Sequence, residues 1–89
     1  MSVAAPSAVL ALKRSNSTVR YCFEADAEPG VLPRALELIA KRGLVPARVF
    51  AQADADVLNV EIEVEGLAPE TADHVGRCLG EIVGVRQTF

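Results

Sequence analysis

The stretch Asp26–Gly43, DAEPGVLPRALELIAKRG, decides how the rest of the chain is read. It opens on the end of a strand pattern, turns through Glu28-Pro29-Gly30 and enters an amphipathic helix. Leu32, Ala35, Leu36, Ile39 and Ala40 recur at i, i+3, i+4, i+7 and i+8, which predicts one buried helical face. Arg34, Glu37, Lys41 and Arg42 fall on the polar side or its edges. Pro33 fits the first turn, where an N–H has no intrahelical acceptor and its loss costs nothing. Lys41 and Arg42 complement the negative end of the helix dipole, and Gly43 suits a left-handed stop. At the other end, Gly30 permits close backbone approach, and the free N–H groups of a helix start attract a carboxylate. A plain strand–turn–helix connection uses the same residue types, so the turn alone does not establish a site.

Upstream of this stretch, Thr18–Ala25 predicts a first strand with Val19, Tyr21 and Phe23 on one face and Arg20, Cys22 and Glu24 on the other. The helix is expected over Val31–Arg42. Downstream, Leu44–Asp54 predicts a second strand, placed at a sheet edge because Pro46 interrupts it. Asp54-Ala55-Asp56 is a turn, and Val57–Glu65 is a third strand. There Leu58, Val60, Ile62 and Val64 alternate with Asn59, Glu61, Glu63 and Glu65, so one face is apolar and the other acidic. Same-face carboxylates two residues apart on a strand sit roughly 7 Å apart, close enough for metal or acid–base work. Arg20, Arg48 and Arg86 on neighbouring strands are the expected cross-strand partners, which favours an ion-paired, solvated face.

Gly66 ends the third strand, and Pro69 starts a second helix expected to reach Ile82. Ala72, Val75, Gly76, Leu79 and Ile82 form its stripe, with Gly76 allowing close packing on the sheet. His74 is expected on the surface and Cys78 beside the stripe as a small packing residue. Gly84 releases a last strand, Val85–Phe89, with Val85, Gln87 and Phe89 on one face.

The order strand–helix–strand–strand–helix–strand, with one apolar stripe per helix, predicts an α+β fold. Both helices should pack on one face of a four-stranded antiparallel sheet. Right-handed connections give a ferredoxin-like βαββαβ sandwich of strand order 4-1-3-2. Residues 18–89 form this one domain, and Met1–Ser17 is read as a flexible tail or a short strand that pairs with an exposed edge. That segment carries Lys13 and Arg14 after its apolar run, the reverse of a secretory signal, although its Ala/Ser-rich, acid-poor composition faintly resembles a transit peptide.

Composition narrows the function. The 89 residues are 51% hydrophobic and 24% charged with net charge −3, which argues against a nucleic-acid footprint. Tyr21 and Phe23 lack a second aromatic strand, which weakens a base-stacking surface. Two cysteines, Cys22 and Cys78, with the lone His74, are too few for a zinc site, and reduced thiols in a cytoplasmic protein are expected. No run approaches the ~18–20 apolar residues of a membrane span. A domain this small buries only roughly 60–65% of its unfolded surface, so self-association over a sheet edge is favourable.

The residues from Asp26 to Leu44, with Pro29-Gly30 before the helix, Leu32 after it and Gly43 at its end, resemble those of ACT domains. The match covers about Thr18–Phe89. Lys41-Arg42-Gly43-Leu44-Val45, the Asp54-Ala55-Asp56 turn and the Leu58–Val64 strand most resemble the short, single-domain form of the regulatory small subunit of acetolactate synthase. The resemblance implies regulation without catalysis and with no cofactor in this chain. It further implies a homodimer or higher oligomer through sheet edges, the acetolactate synthase catalytic subunit as partner, and an amino-acid effector. The implied effector residues are Asp26, Ala27, Glu28, Pro29, Gly30, Val31, Leu32 and Val45, with the carboxylate on backbone N–H groups around Gly30. The chain departs from valine-responsive subunits at two places, where Ala27 and Val45 stand for asparagines. Missing side-chain hydrogen bonds remove discrimination, so an activator role stands beside effector sensing. A stand-alone amino-acid-binding ACT protein is the alternative. An acylphosphatase would need an arginine in the loop after the first strand, and this loop carries Asp26 and Glu28.

Overall fold

The computed structural model describes residues 18–88, so the tail Met1–Ser17 and Phe89 lie outside the described residues. Its elements are β1 (Val19–Asp26), α1 (Val31–Lys41), β2 (Pro46–Asp54), β3 (Val57–Val64), α2 (Pro69–Gly80) and β4 (Val85–Thr88). The alternation of β3 makes it a spine: β1 pairs with one side and β2 with the other, both antiparallel. The sheet order β2-β3-β1-β4 is the expected 4-1-3-2 read from its other edge.

Parity then decides the core. Phe23 opposes Val60, Tyr21 opposes Ile62 and Val19 opposes Val64, so these side chains share the face on which both helices rest. Phe23, Ala25, Val60, Ile62 and Val64 are buried there with Val31, Ala35 and Ile39 of α1 and Val75 and Leu79 of α2. The α1 stripe is rotated from the expected one. Val31, Ala35 and Ile39 are its buried line, Leu32, Leu36 and Leu38 flank it, and Ala40 is exposed. Val31 is held inward against the chain at Gly84, where an added Cβ would come within 3.1 Å of it. That contact turns the helix toward the i, i+4, i+8 row beginning at Val31.

Element ends also shift for identifiable reasons. Leu44, expected in the second strand, instead donates its N–H to Ile39 O and Gly43 donates to Ala40 O. With Gly43 at φ +72°, this is a six-to-one helix stop, so α1 ends at Lys41 and the strand begins at Pro46. α2 ends at Gly80, and Glu81 and Ile82 complete a tighter turn by donating to Cys78 O and Leu79 O. Ile82 still packs on the core from that turn.

β2 differs from every other element. The helices leave it uncovered, and none of its residues is buried. Val49, on the helix side opposite Ile62, is 40% exposed, and Phe50, on the open side opposite Glu61, is 44% exposed.

Candidate functional site

The connection from β1 to α1 is built by backbone hydrogen bonds. Asp26 donates to Gly84 O at 2.8 Å, Ala27 to Asp56 O at 3.0 Å and Glu28 to Asp26 O at 2.8 Å. Val31 then donates to Glu28 O at 3.3 Å and Arg34 to Gly30 O at 3.2 Å, which starts the helix. Pro33 has no N–H to offer. The N–H groups of Gly30 and Leu32 find no backbone acceptor among the described residues, so they are the free donors of this helix start.

Gly30 itself is right-handed, at φ −82° and ψ −12°, so its role is space rather than an unusual backbone angle. A Cβ placed there would lie 2.7 Å from one guanidinium nitrogen of Arg34. The Arg34 side chain therefore folds back over the turn from one helical turn ahead. Among the described residues it forms no ion pair. A cation and two free N–H groups thus converge on one end of α1, where the helix dipole is also positive. The sequence pattern places Arg34 only on the polar side of the helix. Its spacing of four from Gly30 was the available signal for this contact.

The remaining residues singled out from the sequence are placed as follows. Asp26 is engaged: its carboxylate accepts from Arg86 Nε at 2.6 Å, and the same guanidinium reaches Asp56 Oδ2 at 3.6 Å. Its hydrogen bond to Asp26 holds the Arg86 guanidinium still more firmly protonated than usual. Arg86 was expected to join the glutamate ladder; it instead ties the end of β1 to the β2–β3 hairpin. The β4 register shifts between Val85 and Gln87, and such a bulge re-aims its residue. Ala27, Glu28 and Pro29 are exposed at the turn, Leu32 is half-buried and Val31 lies in the core. Val45 is 82% exposed, but it sits beyond the far end of α1, about 16 Å along the helix axis from Gly30. One chain does not bring Val45 to the turn.

The acidic face of β3 is ion-paired. Arg20 Nε lies 3.1 and 3.2 Å from Glu61 and Glu63, and Arg48 reaches the same two residues at 3.0 and 3.8 Å. Two arginines on Glu61 and Glu63 hold both carboxylates in ion pairs rather than leaving them free for acid–base work. Among the described residues no cluster of three or more metal-ligating side chains occurs, and no helix is long and apolar enough to cross a membrane. His74 is exposed and its Nε2 accepts from Arg42 at 2.7 Å, because an arginine can only donate. Cys78 Sγ is 3.6 Å from the same nitrogen.

The family described as ACT-like domain matches residues 12–88. The chain belongs to the ACT-like domain family. No curated protein matches the sequence. Among solved structures, the ACT domain from GTP pyrophosphokinase of Chlorobium tepidum superposes with a TM-score of 0.73 in its crystal form. It is 9% identical, with 83% of this chain and 96% of that chain covered. The solution NMR structure of the same domain gives 0.72 at 9% identity, with 84% and 85% covered. At that identity the likeness shows the ACT fold alone. ACT domains are regulatory, non-catalytic modules, and membership points this ACT-like domain to a regulatory, amino-acid-sensing role.

Proposed function

We propose that the protein is a regulatory ACT module that pairs with a second copy through β2 and takes an amino-acid carboxylate at the Gly30 turn. The observation that carries the reading is the Arg34 guanidinium lying over a helix start whose Gly30 and Leu32 N–H groups have no backbone acceptor. A carboxylate there gains two backbone hydrogen bonds and a charge-assisted bond to arginine.

Pairing supports the site in a second way. Among the described residues β2 presents an unpaired outer edge with Val49, Phe50 and Ala51 in its middle, an edge that isolated domains normally blunt. A two-fold axis at Phe50 sets Pro46 of one copy against Asp54 of the other. The second copy's Val45 then comes beside Ala55-Asp56, and Asp56 O already accepts the Ala27 N–H. The turn and Val45, separated within one chain, meet across such a pair. The effector's carboxylate sits on Gly30, Leu32 and Arg34, while its apolar side chain faces Val45. Effector binding favours the paired arrangement, and a bound enzyme feels that shift in population.

With Ala27 and Val45 contributing no polar side-chain atom, discrimination among effectors falls to shape, and a broad preference for aliphatic amino acids follows. The partner favoured by the sequence resemblance is the catalytic large subunit of acetolactate synthase, in the cytoplasm, with this chain as its activating small subunit.

Titration calorimetry of valine, leucine and isoleucine against the protein tests the site. Arg34→Gln should weaken the best of them roughly tenfold, the size of one charge-assisted hydrogen bond. Equal affinity in wild type and variant would remove Arg34 from the site. Co-purification with a large thiamine-diphosphate enzyme tests the partner separately.

A further inference from the structure

α2 carries the chain's one histidine and one of its two cysteines four residues apart, at His74 and Cys78. That spacing sets both side chains on one face of the helix, one turn above the other. Their polar atoms meet, with Cys78 Sγ 3.6 Å from His74 Nε2. The third member comes from α1. Arg42 closes that helix, its N–H donating to Ile39 O at 3.2 Å, and its guanidinium crosses to α2. There Nη2 lies 2.7 Å from the same Nε2 and 3.8 Å from Sγ. His74 and Arg42 are exposed and Cys78 is half-buried, which leaves the cluster within reach of a small solute.

The hydrogen-bond roles fix what the three groups can do. An arginine only donates, so Nε2 is the bare nitrogen of a neutral ring whose proton sits on Nδ1. The Cys78 thiol can give its proton to that same lone pair. Once the proton moves from sulfur to Nε2, the ring no longer accepts from Arg42, and the guanidinium is released to the sulfur that has gained the charge. Proton acceptor and counter-charge are thus residues already in contact with the thiol, an arrangement that activates a sulfur nucleophile. Metal binding fits the cluster less well, because a guanidinium already occupies the lone pair that a metal ion would need. Cys22 supplies the contrast within the chain. It is half-buried too, but it opposes Glu61 on the open sheet face, and the one histidine lies elsewhere.

We propose that Cys78 is a site of thiol–disulfide exchange, at which a small disulfide bearing carboxylates forms a mixed disulfide with the protein. His74 Nε2 takes the thiol proton as Cys78 Sγ attacks one sulfur of the reagent. A new S–S bond forms, the reagent's own S–S bond breaks, and its second sulfur leaves with the bonding pair. The leaving thiolate collects the proton from His74, so the products are the mixed disulfide and one free thiol. Cys78 is oxidised and half of the reagent is reduced, with no further oxidant. Arg42 faces the charge on sulfur, and its remaining N–H groups suit a carboxylate of the reagent.

Oxidised glutathione is the probe, applied to the full chain with both thiols initially reduced and with adducts located by peptide mass spectrometry. The adduct should form at Cys78 roughly tenfold or more faster than at Cys22 of the same protein. His74→Gln and Arg42→Gln, both at exposed positions, should each slow the Cys78 adduct by roughly tenfold and leave Cys22 unchanged. A second readout separates charge from packing. At Cys78, the alkylation rate with anionic iodoacetate relative to neutral iodoacetamide should fall about threefold in Arg42→Gln, since only the anion is drawn by the guanidinium. Equal adduct rates at Cys78 and Cys22 in wild type would overturn the proposal, and that comparison needs no variant. A Cys78 rate that neither substitution changes would overturn it as well.

Discussion

β2 and β3 are hydrogen-bonded neighbours of 9 and 8 residues, both rich in apolar side chains, yet they are treated oppositely by the fold. β3 places Val60, Ile62 and Val64 under the helices at 3% exposure or less. β2 buries nothing, and among the described residues no strand pairs with its outer edge. Strict alternation with large residues marks a strand that is half core already. An apolar strand of mixed, mostly small residues that breaks alternation, as Val49-Phe50-Ala51 does, marks a surface completed by something else. The stability of the domain therefore resides in β3 and β1, whereas the pairing proposed above uses β2.

The largest expected effect breaks that contrast directly. Ile62→Ala should destabilise the domain by about 2–5 kcal/mol in denaturant unfolding, because the side chain is fully buried between strands and helices. Val49→Ala, one strand over and paired with Ile62, should cost no more than about 0.5 kcal/mol in the dilute monomer. Comparable losses at the two positions would mean that β2 is covered within a single chain.

Self-association sharpens the other half of the contrast. Val49→Lys sets a charge on the exposed helix-side surface of β2, and sedimentation should show dimerisation weakened by roughly a hundredfold, with the monomer fold intact. A wild-type protein that stays monomeric at high concentration would remove the shared site.

A smaller effect belongs to β1. Tyr21 donates its hydroxyl to Ala72 O at 2.8 Å, and its phenol is shifted upward, first by burial and second by the nearby charge of Asp73. The unfolded chain ionises this tyrosine at its ordinary value while the folded chain holds it neutral. Its contribution is thus whole below about pH 10 and is lost as pH rises through the higher folded value. Tyr21→Phe should cost about 1 kcal/mol near neutrality and should flatten the loss of stability above pH 10. Equal alkaline slopes in the two proteins would count against the upward shift of the Tyr21 phenol by burial and Asp73.

Much of this was legible in the residues. The Leu58–Val64 alternation and the two helical stripes are local periodicities, and with short connections they fix the sheet order. Pro46 correctly marks an edge. What escaped the pattern depends on contacts between distant segments. Leu44 is apolar and looks like strand, but its N–H closes α1. Ala40 fits the helical period, but the contact of Val31 near Gly84 rotates the helix away from it. Arg86 had three candidate acidic neighbours in the glutamate row, and the β4 bulge gave it to Asp26 and Asp56 instead. The geometry of the turn was half legible: Pro29-Gly30 before a helix signals free N–H groups, while the return of Arg34 over Gly30 had only their spacing of four as its signal.

The most direct test of the account is a thermal-shift screen against the twenty amino acids, run on wild type and on Gly30→Asp. The substitution puts a carboxylate beside Arg34 and so occupies the anion position from within the chain. At a hundred times its dissociation constant, an effector adds about 2.7 kcal/mol, a rise of roughly 10–20 °C for a domain of this size. The account predicts such a rise for an aliphatic amino acid with wild type and none with the variant. An equal rise in both proteins, or no rise with any amino acid, would contradict a carboxylate site at the Gly30 turn.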